Sequence, residues 1–145
     1  MRKFAISALL FAALAAPTLV EAATPKMPDV SDMSLPMPLG LKGDYTKGAA
    51  FFMRTCAQCH GASGDGNGPR AYFITPPPRN FLLATSRQRL NRPVLFEAVT
   101  NGRVGTNMPA WGKVLNNQEI ANVAEFVFQN FIQPSQLEKK GSKGK

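Results

Sequence analysis

The chain has 145 residues, with 17 lysines and arginines against 9 acidic residues, one histidine, two cysteines and a formal charge of +8. That length suits a single domain. Two cysteines and one histidine are too few for a four-ligand structural zinc site, and two cysteines cannot build a disulfide framework.

Met1-Arg2-Lys3 leads into an apolar run from Phe4 to Val20, and Val20-Glu21-Ala22 supplies a cleavage site. This is the pattern of a secretory signal peptide over residues 1–22. A retained membrane anchor is the alternative, weakened by a run near the lower length limit for a spanning helix, by Pro17 and by the alanine content. Cleavage removes Arg2, Lys3 and Glu21, leaves a charge of +7 and places the protein in the periplasm. Nucleic acid is then set aside as a partner. The charge instead suits a partner protein with an acidic docking face, met by steered, salt-sensitive association. Part of the charge belongs to a basic, flexible tail over 134–145, which carries Lys139, Lys140, Lys143 and Lys145.

Residues 23–43 form a proline-rich, extended lead-in containing Pro25, Pro28, Pro36 and Pro38, which either wraps the domain or serves as a linker. The domain proper is expected over 44–133. Its first helix runs from Asp44 to about His60, with Asp44 as N-cap and Ala49, Phe52, Met53 and Cys56 on one apolar face. Gly48 costs a helix about 1 kcal/mol against alanine, an expense that points to close approach of another backbone.

That helix ends in Cys56-Ala57-Gln58-Cys59-His60, which uses both cysteines and the only histidine. C-x-x-C-H is the attachment signature for c-type haem. Two thiols at this spacing can add across two vinyl groups, and the next residue sets an imidazole beneath the iron. A disulfide here would close a tiny loop and stabilise little. A thioredoxin-like redox pair lacks its βαβ context.

Gly61 to Gly68 reads GASGDGNG, a loop whose residues tolerate positive φ. It is no phosphate loop, because no strand precedes it and no Lys-Ser/Thr follows. Pro76-Pro77-Pro78 imposes extended backbone, either as a partner ligand or as a segment wrapped on the haem. A short helix is expected within 81–90, with Asn80 as cap. A clearer one spans 91–101, capped by Asn91 and stopped by Gly102, with Leu95, Phe96, Ala98 and Val99 facing inward. Residues 103–115 read as irregular. Asn116 opens the last helix with Glu119 in a capping-box arrangement. Ile120, Val123, Ala124, Val127 and Phe131 form its buried stripe, Phe126 and Phe128 flank it, and Pro134 ends it.

His60 fills one axial position of a haem. No second histidine exists, so a methionine sulfur is the natural partner. Met27, Met33 and Met37 lie in the lead-in, and Met53 sits on the His60 helix. Met108, 48 residues after His60 and followed by Pro109, is the candidate able to reach the other face.

The order CAQCH, GDGNGP, TPPPRNF and NGRVGTNMPAW, followed by a closing aromatic-rich helix, resembles bacterial class I cytochromes c over about residues 44–132. The resemblance implies an all-α cytochrome c fold, with short helices around one haem c held through Cys56 and Cys59 and ligated by His60 and Met108. It implies that the Gly48/Phe52 face crosses the last helix near Phe126 and Val127. It also implies that the Pro69 carbonyl accepts a hydrogen bond from the His60 ring, and that Trp111 and Arg79 contact the propionates. The expected function is single-electron transfer between respiratory proteins by a monomer, steered by Arg54, Arg70, Arg103 or Lys113. A haem subunit docked in a larger membrane complex is the main alternative. A peroxidase-like or gas-binding protein is the other.

Overall fold

The computed structural model describes residues 29–134, and among these residues the regular structure is helical, with no strand. The expected signal peptide, the first six residues of the lead-in and the tail from residue 135 onward lie outside the described residues.

Helix α1 covers Tyr45–Phe51, and the Asp44 carboxylate accepts from the Lys47 amide at 3.0 Å to cap it. The single long helix expected to His60 is instead three pieces. A π-helical turn spans Phe52–Cys56, in which the Ala57 amide reaches back to the Phe52 carbonyl, and α2 follows over Ala57–His60. The wider turn shifts the side-chain register. Phe52 is 1% exposed, whereas Met53, expected on the same face, is 45% exposed.

The short helix expected within 81–90 is α3, only Ala84–Arg87. Asn80 does not cap it. Its side chain accepts from the Leu82 amide and its carbonyl accepts from the Ser86 hydroxyl, which closes a turn ahead of the helix. Helix α4 is Arg92–Asn101, capped by Asn91 through the Val94 amide and stopped at Gly102, where φ is +66°. Helix α5 is Asn117–Val127 with the Asn116/Glu119 capping box in place, continued by a π-helical turn Phe128–Ile132. The irregular 103–115 segment contains one 3-10 turn, Trp111–Lys113.

α5 is the central element, packed against both α1 and α4. It is buried on every side from Ile120 to Val127 rather than along one stripe, and Phe126 and Phe128, expected to flank the stripe, are fully inside. The polar residues this encloses are satisfied. Asn122 accepts from the Asp44 amide at 2.8 Å, and Glu125 is bidentate with Arg92, whose guanidinium lies over the Phe128 ring.

Gly48 makes the α1–α5 crossing possible. A Cβ there would lie 2.0 Å from the Asn122 carbonyl oxygen and 2.9 Å from the Phe126 Cβ. This is the backbone approach that the glycine announced. Below the crossing, Phe52 meets Phe126 at 5.1 Å and Phe131 at 5.3 Å between ring centroids, within the range of favourable aromatic pairs.

The described part of the lead-in wraps the domain. Met37 is 5% exposed in the core. The buried Asn91 amide donates to the carbonyls of Asp29 and Asp32 at 2.8 and 3.1 Å. Met37→Ala is expected to lower stability by about 2–4 kcal/mol, as other core methionine truncations do, read as a drop in the urea midpoint with an unchanged slope. A change under about 0.5 kcal/mol would mean that the strap is loose.

Candidate cofactor site

The π-helical turn and α2 deliver Cys56, Cys59 and His60 to one wall of a cavity of about 530 Å³. Met108 and Trp111, from the chain after α4, line it as well. Val123 and Val127 of α5 form part of its walls, and Ile74 and Pro76 to Pro78 line a further part. The four residues expected to hold the cofactor therefore border one space, while Met53 is not among its lining residues.

Neither cysteine is in a disulfide, and both are half-buried, facing the cavity. Burial, and then the neighbouring Cys59, push the Cys56 thiol up to about 12. It therefore stays protonated at neutral pH and resists pairing, since the thiolate is the reactive form. Burial holds His60 below the usual imidazole range, with the Arg79 carbonyl opposing the shift and the Arg79 charge adding to it. A neutral imidazole is the form that binds a metal.

The His60 ring is held by different neighbours from those expected. Its Nδ1 lies 3.0 Å from the Arg79 carbonyl, not the Pro69 carbonyl, and the ring stacks on Phe81 at 4.7 Å. The loop after α2 is pinned to the end of that helix. Its amides at Gly66, Gly68 and Arg70 donate to the carbonyls of His60, Cys59 and Gln58. The loop thus satisfies free carbonyls at the helix end, and the His60 ring, stacked on Phe81, directs Nδ1 to the Arg79 carbonyl. Phe81 was hard to foresee because its segment read as helix.

Trp111 and Arg79 both line the cavity. Of the four basic residues expected near its edge, only Arg103 does so, and it is ion-paired with Glu97. Arg54 instead lies over the Phe51 ring.

Among the described residues, no group of three His, Cys, Asp or Glu side chains is placed to hold a bare metal ion. Two unpaired thiols, an imidazole and a thioether around a largely apolar cavity are donors for a metal carried in an apolar ring. The residues fit haem c.

The family model described as "Cytochrome C oxidase, cbb3-type, subunit III" matches residues 43–127. The chain belongs to this family of c-type cytochromes. It has an all-α cytochrome c fold, and its cytochrome c domain implies covalently bound haem c. It is 32% identical over 84 residues to the cbb3-type cytochrome c oxidase subunit CcoP of Azospirillum brasilense, covering 56% of this chain and 26% of that protein. The chain thus spans about a quarter of the length of that relative. It is 33% identical over 92 residues to cytochrome c6 of Rippkaea orientalis, covering 62% of this chain and 74% of that protein. Cytochrome c55X of Stutzerimonas stutzeri is 29% identical over 87 residues, covering 58% of this chain and 66% of that protein. Among solved structures, cytochrome CL of Methylophaga aminisulfidivorans aligns at 22% identity with a TM-score of 0.46, over 60% of this chain and 55% of that one. Among the described residues, no helix is long and apolar enough to cross a membrane.

Proposed function

We propose that the protein is a periplasmic cytochrome with one haem, exported by a cleaved signal peptide, which shuttles single electrons between respiratory redox proteins. Cys56 and Cys59 would anchor the haem as thioethers, and His60 and Met108 would ligate its iron. The observation that carries this reading is that these four residues line one cavity although Met108 is 48 positions beyond His60.

When bound, haem supplies a one-electron couple. The chain's contribution is to shape it. With both ligating, His60 and Met108 would leave no coordination position for a substrate, which favours electron exchange over chemistry at the metal. A thioether ligand and apolar walls from Val123 and Val127 both disfavour the more positive oxidised state and raise the potential. Apolar walls also exclude water from the metal.

The partner surface is supported by the segment over the cavity. Tyr72 and Phe73 are 92% and 81% exposed and meet edge to face, next to the cavity-lining Ile74 and Pro76 to Pro78. From residue 66 to 96 the chain carries five arginines, including the exposed Arg70 and Arg79, and no acidic residue. An aromatic centre with a basic surround suits brief docking on a partner with an acidic rim.

The likeness to a cbb3 oxidase subunit favours a second reading, a haem-bearing subunit held within a larger oxidoreductase complex. One preparation tests both. The exported protein is purified, weighed by mass spectrometry and examined spectrally in both oxidation states. The expected result is a coloured monomer weighing the chain from about residue 23 plus one haem. A colourless product with the mass of the polypeptide alone ends the proposal, and isolation only with other subunits selects the second reading.

A further inference from the structure

We infer that Thr106 is a positioning residue for Met108, and that its hydroxyl sets how often the methionine leaves the metal. The inference rests on the reading of Met108 as an axial ligand.

The chain from Arg103 to Met108 is a tight reversal on the cavity wall, which Arg103, Val104, Thr106, Asn107 and Met108 all line. Gly105 at its tip is exposed and outside that lining. Gly105 has φ +75° with nothing within 4 Å of a would-be Cβ. Such a segment is mobile unless hydrogen bonds close it. Thr106 supplies the closure. Its Oγ1 donates to the Arg103 carbonyl at 2.8 Å and accepts from the Met108 amide at 3.1 Å, so one hydroxyl bridges both arms. Around it, the Arg103 amide donates to the Met108 carbonyl at 3.2 Å, and the Thr106 amide to the Arg103 carbonyl at 3.1 Å.

The reversal is anchored at its base. A Cβ on Gly102 would lie 2.5 Å from the Met108 carbonyl oxygen, so the two arms touch backbone to backbone there. The Arg103 side chain is tied to Glu97 of α4. The next residue, Pro109, has no amide to offer. The Met108 amide therefore has the Thr106 hydroxyl as its partner in holding the backbone from which the thioether enters the cavity.

A site closed by Met108 admits an outside ligand only in the fraction of time the methionine is away, and apparent binding scales with that fraction. Losing both hydroxyl bonds fits a tenfold rise in the open fraction, which is about 1.4 kcal/mol. This is the scale of a typical net hydrogen-bond contribution.

The test uses the haem-loaded full chain as wild type, Thr106→Val, Thr106→Ser and Met108→Ala. Valine keeps the shape and loses the hydroxyl, and serine keeps the hydroxyl. Two quantities are read: the rate of carbon monoxide binding to the reduced protein, and hydrogen exchange at the Met108 and Arg103 amides. The expected result is carbon monoxide binding about tenfold faster in Thr106→Val, with faster exchange at both amides. Thr106→Ser should stay within about twofold of wild type. A Thr106→Val protein indistinguishable from wild type, or a Thr106→Ser protein that opens as far as Thr106→Val, overturns the inference. If Met108→Ala speeds carbon monoxide binding while Thr106→Val does not, the ligand reading survives and the positioning role falls. If Met108→Ala leaves binding unchanged, both fall.

Discussion

Met108→Ala will lower the reduction potential and let the reduced protein bind carbon monoxide rapidly, while the fold persists. The thioether is a soft, uncharged donor that favours reduced iron. Axial ligand choice spans about 0.8 V across haem proteins, and loss of this ligand to water is expected to use about 0.2 V or more of that span. The direction follows from two features acting together. Removing the sulfur removes its preference for the reduced state, and the gap it leaves admits water beside an otherwise apolar wall formed by Val123 and Val127. Potentiometric titration of the two proteins measures the shift. Equal potentials and an unchanged spectrum would remove Met108 from the ligand set.

Gly48→Ala will destabilise the protein by about 2 kcal/mol or more, against the sign that helix propensity alone predicts. In an exposed helix interior the change gains about 1 kcal/mol. Here the added methyl group would sit 2.0 Å from the Asn122 carbonyl oxygen, which is backbone of the central helix and cannot rotate away. The two helices must separate, and overpacking of this kind costs about 1–3 kcal/mol and occasionally more. The loss also spreads, because Phe52 meets Phe126 just beyond this crossing. Calorimetry should report a fall in Tm of roughly 10 °C. A variant as stable as the parent would mean that the two helices have room to spare where they cross.

What the residues announced in advance was local chemistry with few solutions. Asn91 and Asn116 were legible as caps because a short polar side chain ahead of an apolar period has little else to do. Gly48 was legible because its cost needed a reason. Spacing singled out Cys56, Cys59 and His60, and scarcity of alternatives singled out Met108; the structure sets all four around one cavity. What stayed hidden depended on distant partners. Nothing near Met37 indicated that it would be 5% exposed inside the core, since Pro36 and Pro38 flank it and no helical or strand period runs through the segment. The π-helical turn Phe52–Cys56 inserts its extra residue without any glycine or proline to mark it. The burial of Phe126 and Phe128 arose because α5 is enclosed by two helices, a strap and the Arg92 side chain, so a one-sided pattern understated it. The partner of His60 moved from 69 to 79 in a ring stacked on Phe81, a contact with a distant residue that no local pattern marks.

Asn91 also limits which residues its position can accept. Elsewhere in this chain a cap works on one side only. Asp44 and Asn116 each need just an oxygen that accepts from an amide, and aspartate and asparagine serve that purpose about equally. At 91 the oxygen caps α4 while the nitrogen of the same amide grips the Asp29 and Asp32 carbonyls. An aspartate there would keep the helix start and turn an anion toward two carbonyl oxygens, releasing the segment that carries Met37. Two residue types that are interchangeable at the other caps are thereby made unequal at this one.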